Sequence, residues 1–203
     1  MKKPDRRVQR TEQLLRAALM SLIEEKGFEA LSVQDIIDRA NVARATFYAH
    51  FDSKEDLLAS GIDRLRDSLK EHQRNAGTQP VAPDERLFAF SRELFVHANE
   101  HRDVFRAMVG KRSGAIIQQL LHKMLVDLVR DEFRAVAAVD DRVGAAAEAR
   151  AQFVGGGLFG LLIWWGTGPM RIPVEEVNTL FRRLAIPAVE DAAGVGTRSS
   201  PLS

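Results

Sequence analysis

Residues 31–58 read LSVQDIIDRANVARATFYAHFDSKEDLL, and this stretch decides the fold. Ser32 stands before the apolar positions Val33, Ile36, Ile37 and Ala40, with Asp35 three residues on. A hydroxyl at the N-cap and an acid at the third helical position form an approximate capping box, so a short helix opens here. After Asn41 a third short segment runs from Val42 to His50. In it Val42, Phe47 and Phe51 can turn inward, leaving Arg44, Thr46, Tyr48 and His50 available to a partner. Ser53, with Asp56 three residues later, caps a fourth helix whose Leu58, Ile62, Leu65 and Leu69 make a stripe to about Arg74. Two short helices across a tight turn are a helix-turn-helix pattern.

A helix of this kind fits the major groove, where arginine pairs bidentately with guanine and threonine touches a polar base edge or a thymine methyl. Arg44 and Thr46 are therefore the expected base readers, with Ala45 between them. Tyr48, His50 and Lys54 occupy the end of that segment and the start of the next helix, positions suited to phosphate contacts that set register. The helix N-termini at Ser32 and Ser53 can also present backbone N–H groups to phosphate.

Upstream, Leu15, Ala18, Leu19, Leu22 and Ile23 follow i, i+3, i+4, i+7, i+8 spacing, predicting a first helix from about Arg6 to Lys26 that stops at Gly27. The net charge of the 203 residues is +1, but its distribution is uneven. Lys2, Lys3, Arg6, Arg7, Arg10 and Arg16 face only Asp5 and Glu12 in the first sixteen positions. Such an arm is an electrostatic footprint for a phosphate backbone. No apolar segment follows these charges, so a secretory leader is not expected and the cytoplasm is the default compartment.

Downstream, Asn75 to Pro83 (NAGTQPVAP) breaks the periodicity and reads as a loop. Beyond it every segment reads as helix. Asp84 caps one with Leu87, Phe88, Leu94, Phe95 and Ala98; a shorter one carries Val104, Phe105 and Met108. Ser113 opens a helix so apolar around its circumference, with Ile117, Leu120, Leu121, Met124, Leu125 and Leu128, that it should be central. A long helix runs from about Asp141 to Trp165, Gly166 to Pro173 turns the chain, and a last helix carries Val177, Leu180, Phe181 and Leu184. The expected fold is all-α with about nine helices: a helix-turn-helix head at 1–52 (motif about 32–51), a helical body at 53–192, joined by helix four, and a disordered tail at 193–203.

With no cysteine in the chain, disulfides, cysteine zinc sites and thiol nucleophiles are excluded. His97 and His101 share i, i+4 spacing but lack the HExxH pattern, so no metal is expected. No nucleophile elbow, phosphate-cradling glycine loop or dinucleotide fingerprint occurs, which argues against an enzyme and against a cofactor. Phe153 to Met170 carries no charge, close to membrane-spanning length, but six glycines within it favour close helix packing in a dimer. Gly156 and Gly160 have small-xxx-small spacing, and Phe159, Ile163 and Phe181 join them as expected interface residues. Phe95, Phe105, Met108, Met124, Phe153 and Trp164 are the expected lining of an apolar effector pocket.

The string Thr46-Phe47-Tyr48-x-His50-Phe51, followed by Lys54-Glu55-x-Leu57, resembles the head of the tetracycline-repressor (TetR) family of bacterial one-component regulators. The resemblance covers about the first quarter of the chain in detail, and the rest in its helical layout. It implies that the third helix enters the major groove, with Arg44 and Thr46 near bases and Tyr48, His50 and Lys54 on phosphates. It further implies an effector-binding and dimerisation role for the body at 53–192, a homodimer paired through the last two long helices, a near-palindromic duplex operator, and a small effector that releases a repressor. A constitutive regulator or activator without effector, and a small helical enzyme, are the competing readings. Three positions depart from the family pattern: Ala43 for a serine, Ala45 for a glycine, and Asp52 for a proline.

Overall fold

The computed structural model describes residues 6–78, 86–109, 115–136, 144–169 and 172–192. Among these the chain forms nine α-helices and no strand, the all-α architecture expected. They are α1 (Arg6–Lys26), α2 (Val33–Ala40), α3 (Arg44–Tyr48), α4 (Lys54–Thr78), α5 (Ala89–Glu100), α6 (Arg102–Val109), α7 (Ala115–Val136), α8 (Ala145–Thr167) and α9 (Val174–Ala192). The chain divides into two compact units, one of Met1–Asp67 with Glu100–Leu121, the other of Ser68–Asn99 with His122–Ser203.

In the first unit, Leu15, Ala18, Leu19, Leu22 and Ile23 of α1 are all buried, as their spacing predicts. α1 packs on α2, whose Ile36 and Ile37 are buried, and Phe47 of α3 and Leu57 and Leu58 of α4 are buried as well. Gly27 ends α1 at φ 78, a left-handed conformation that costs glycine least. The turn after α2 uses Asn41 for the same purpose, at φ 52, with its N–H on the carbonyls of Asp38 and Ile37. α3 is shorter than the Val42–His50 segment expected, because both ends tighten into turns: Thr46 N–H bonds Ala43 at 2.9 Å and His50 N–H bonds Phe47 at 2.9 Å.

The first turn of α4 is tied to the α1–α2 loop by Lys54. Its half-buried ammonium donates to the main-chain carbonyls of Phe28 (3.0 Å) and Leu31 (2.7 Å) and lies 4.7 Å from the Phe28 ring centroid. Both carbonyls lie outside any helix; that of Phe28 also accepts from Leu31 N–H at 3.2 Å, and the lysine adds a charged donor to each. Across the same core, Arg16 of α1 reaches Ser60 of α4 at 3.4 Å.

α4 continues to Thr78, so Asn75 to Gly77 are helical rather than loop; the rest of the expected loop, 79–83, lies outside the described residues. The expected caps at Asp84 and Ser113 and the tail at 193–203 also lie outside the described residues. α5 begins at Ala89, which leaves Leu87 and Phe88 before it rather than within it. Phe88 sits at φ 55, unusual for a bulky residue, and its ring is wholly buried edge-on to Phe90, Phe133 and Phe181.

A buried polar knot in the second unit holds that backbone. The Glu132 carboxylate on α7 accepts from Gln73 Nε2 on α4 (3.1 Å) and from Phe88 N–H (3.4 Å). Gln73 also donates to the Arg86 carbonyl at 2.9 Å and accepts from Phe90 N–H at 3.1 Å. Ser91 donates to the Phe88 carbonyl and meets the Asn178 side chain of α9, each at 2.7 Å. Removal from water pushes the Glu132 carboxyl up to about 7, against the opposing pull of the Phe88 N–H and the Arg182 charge. Around it α7 contributes Met124, Leu125, Leu128 and Val129 to the core, the central helix expected from its all-round apolarity. Gly155 of α8 fits against α7 so closely that a Cβ there would lie 2.7 Å from Val126 Cα.

Replacing Lys54 by Met should lower unfolding free energy by about 1–3 kcal/mol without DNA, read by denaturant melting. An unchanged midpoint would show that the two carbonyls do not need it. For Glu132 the carboxyl titrates at about 7 in the folded chain against 4.5 when unfolded, so the folded state binds more protons between those values. Its favourable contribution is full below pH 4.5 and is lost as pH rises through 7. Glu132→Gln should therefore remove this slope and stabilise the protein at pH 8 by on the order of 3 kcal/mol, with the gap closing toward pH 5. An unaltered pH dependence of Tm in the variant would contradict this.

Candidate nucleic-acid interface

The five side chains of α3 divide by exposure. Phe47 is fully buried, packed against Phe51 with ring centroids 6.1 Å apart. Arg44 and Ala45 are exposed beside it, and Tyr48 is 45% exposed with its ring edge-on to Phe47 at 5.3 Å. Thr46 is half-buried. Anchored by one phenylalanine, the short helix turns Arg44, Ala45 and Tyr48 outward together, three of the expected DNA-binding residues on one face. Its N-cap is Ala43, and no side chain caps it, so the family's usual serine contact has no counterpart at this position.

Arg44 has neutral partners. Nη1 donates to Gln34 Oε1 of α2 at 3.2 Å, Nη2 approaches the Tyr48 hydroxyl at 3.5 Å, and the guanidinium carbon lies 5.4 Å from the Tyr48 ring centroid. Arg39, near the end of α2, is the contrast: both its Nη atoms donate to the Glu25 carboxylate at 2.7 Å, and Nη1 reaches Ser21 at 2.6 Å. That pairing holds the Glu25 carboxyl below and the Arg39 guanidinium above their ordinary values. Arg39 thus closes a bridge from α2 to α1, whereas among the described residues no carboxylate pairs with Arg44.

At the start of α2 the expected capping box is present. Ser32 Oγ accepts from Asp35 N–H at 3.2 Å, while the Asp35 carboxylate accepts from Ser32 N–H at 2.8 Å and from its hydroxyl at 2.7 Å. These bonds, with Lys26 at 3.0 Å, hold the Asp35 carboxyl far below the usual range. Ser32 is exposed, but the helix terminus it opens already carries a carboxylate. At α4, Ser53 Oγ accepts from Asp56 N–H at 3.1 Å. His50 is half-buried, with Nδ1 3.8 Å from Glu12 Oε1 of α1. Lys54 uses two of its three ammonium donors on the Phe28 and Leu31 carbonyls.

The expected pocket residues fall in both units. Phe95 and Met124 are packed in the core of the second unit, Phe95 edge-on to Trp165 at 5.5 Å; Phe105 and Met108 belong to the first unit. Phe153 and Trp164, expected inside a pocket, are instead 75% and 56% exposed. They border an open apolar cleft of about 620 Å³ between α8 and α9, with Gly157, Gly160, Leu161, Phe181 and Leu184. Of the expected interface residues, Gly160 and Phe181 line this cleft, whereas Gly156 and Phe159 face α7, Phe159 stacking edge-on to His122 at 5.2 Å; Ile163 is half-buried. Sequence reading missed Gln34, whose only signal was its i, i+4 spacing to Asp38, and Leu184, which is 67% exposed. Among the described residues no cluster of three His, Asp or Glu is arranged to hold a metal, and no helix is long and apolar enough to cross a membrane.

Comparison with known proteins agrees with this architecture. Residues 14–60 match the family model "Bacterial regulatory proteins, tetR family", and residues 85–186 match "Transcriptional regulator C-terminal region". The HTH-type transcriptional regulator YxbF of Bacillus subtilis is 38% identical over 72 residues, 35% of this chain and 19% of that protein. The HTH-type transcriptional regulator EthR of Mycolicibacterium smegmatis is 34% identical over 82 residues, 40% of this chain and 38% of its own. The chain thus spans about a fifth to two fifths of the length of these curated relatives. Among solved structures, a TetR-family regulator from Syntrophomonas wolfei superposes with a TM-score of 0.71 at 19% identity, covering 95% of this chain and 98% of that one. The fatty acid degradation regulator FadR from Bacillus halodurans gives 0.65 at 16% identity, covering 91% and 96%. Both structures share the fold. With its head and its C-terminal region each matched in sequence, the chain belongs to the TetR family of transcriptional regulators and carries that family's helix-turn-helix DNA-binding head.

Proposed function

We propose that the protein is a homodimeric transcriptional repressor that holds a near-palindromic operator and is released by a small-molecule effector. The observation that carries the DNA part is the exposed α3 face, on which Arg44 retains an unneutralised charge beside Tyr48. In this reading Arg44 and Thr46, with Ala45 between them, meet base edges, and Tyr48, His50 and Lys54 meet phosphates, Lys54 through its third donor, while the N–H and hydroxyl of Ser32 are already given to Asp35. Two such helices in a dimer enter successive major grooves roughly 34–36 Å apart.

The dimer reading rests on the α8–α9 cleft. Phe153, Trp164, Leu180 and Leu184 are large apolar side chains left in water. Gly157 and Gly160, in the same cleft, have no atom within 4 Å of where a Cβ would stand. A mid-helix glycine costs about 1 kcal/mol relative to alanine, and no contact among the described residues requires these two. A two-fold partner presents the same patch, so its large side chains can seat over the bare glycine backbone. Effector binding then shifts the dimer between geometries through α4, provided the ligand binds them unequally.

The buried state of Phe95 and Met124 favours a second reading, a constitutive regulator whose body is filled. Melting the protein against a panel of apolar and cationic compounds separates the two: stabilisation by some ligand supports effector release, and none supports the filled core.

Gel-shift titration against the DNA upstream of the gene should give binding that weakens steeply with salt. Arg44→Ala should lower the preference for the specific duplex by about 1–3 kcal/mol, and Tyr48→Phe should weaken binding to all duplexes more evenly. If both variants bind as the parent does, the assignment of the α3 face is wrong. Trp164→Glu and Leu184→Glu should each shift light-scattering mass toward the monomer; a retained dimer would place the interface elsewhere.

A further inference from the structure

We infer that Gln34 is a positioning residue for base recognition: held by Asp38, it fixes the Arg44 guanidinium on the recognition face while leaving its charge intact. The inference rests on Arg44 as a base reader, the reading given above. Three side chains form a line across the helix-turn-helix. Gln34 Nε2 donates to Asp38 Oδ1 one turn along α2 at 2.7 Å, and Gln34 Oε1 accepts from Arg44 Nη1 at 3.2 Å. The orientation of the amide follows from its neighbours. A carboxylate only accepts and a guanidinium only donates, so the NH₂ must face Asp38 and the oxygen must face Arg44. Each neighbour requires the same orientation, and the amide has no alternative setting that satisfies both.

The chemistry of the spacer matters as much as its position. A carboxylate in place of Gln34 would pair with Arg44 as Glu25 pairs with Arg39, offsetting the charge and engaging the fork that guanine needs. A neutral acceptor fixes one edge and leaves the other donors of the five-donor guanidinium for the base. Tyr48 bounds the group on a second side, its hydroxyl at 3.5 Å and its ring centroid 5.4 Å from Cζ. Arginine carries large rotamer entropy when free in solvent, so a side chain already held in place loses less on pairing with a base. Gln34 and Asp38 are both exposed and lie outside the core. Replacing Gln34 with alanine, a strong helix former, therefore tests recognition rather than folding.

The test uses the full chain and a duplex selected from a random-sequence pool, with Kd measured for it and for each single-base-pair substitution. Arg44→Ala should relax preference at one base pair by about 5- to 100-fold. Gln34→Ala should relax that same pair by about 3- to 10-fold. It should leave preference at other pairs and binding to unrelated duplex within about 2-fold, and the double variant should be no more relaxed there than Arg44→Ala alone. Three results would overturn the inference: unchanged preference at the Arg44 pair, relaxation at a different pair, which would make Gln34 a reader in its own right, or an equal loss on every duplex, which would make it structural. If Arg44→Ala itself relaxes no pair, the base-reading assignment fails and this inference falls with it. A silent Gln34→Ala beside a selective Arg44→Ala removes this inference alone.

Discussion

A five-residue helix has no stability of its own, because the cost of nucleating a helical turn is recovered only over several further residues. α3 exists because Phe47 is driven fully into the core of the first unit, against Phe51, where α3 meets α2. Everything the head presents depends on that one anchor. With Phe47 inside, helical geometry turns Arg44, Ala45 and Tyr48 outward. The surrounding ties fix the frame in which it sits: Asn41 in the left-handed turn before it, Lys54 on the loop carbonyls, and the Arg39–Glu25 bridge from α2 to α1. The polar groups of the head are therefore sorted. Arg39 and Asp35 are occupied in holding helices in place, and Arg44 keeps neutral company.

The second unit shows a comparable sorting among its glycines. Gly155 is required by the chain's own packing, since α7 passes where a side chain would go. Gly157 and Gly160 meet nothing and lie among exposed aromatic and leucine side chains. One stretch of sequence thus serves an internal contact on one side of α8 and leaves an unsatisfied apolar face on the other. The buried Glu132–Gln73 knot is unlike either. It fastens an irregular segment through bonds between side chain and backbone, where apolar packing alone would leave the N–H groups of Phe88 and Phe90 without acceptors.

Much of this was legible in the residues. The periodicity of Leu15 to Ile23 and the Ser32–Asp35 box specify local structure through short-range physics, and α1 and α2 run over the residues they indicate. The charge-free glycine stretch likewise gave a helix, though one that continues to Thr167. What resisted reading were properties that depend on which distant element lies opposite. Asn75 to Gly77 look like a loop because asparagine and glycine are poor helix formers, yet α4 continues through them. Phe153 and Trp164 have the composition of pocket walls, and only the packing of α8 on α7 and α9 shows them facing outward. The Gln34–Arg44 contact joins two helices across a turn, and no spacing rule along one helix anticipates it.

We propose that the α3 face, anchored by Phe47, enters the major groove of a specific duplex. DNase I and hydroxyl-radical footprinting of the region upstream of the gene tests it most directly. Two protected half-sites of related, inverted sequence are expected, centred about one helical turn apart on one face of the duplex, roughly 34–36 Å. Protection without such a repeat, or none that survives competitor DNA, would contradict it.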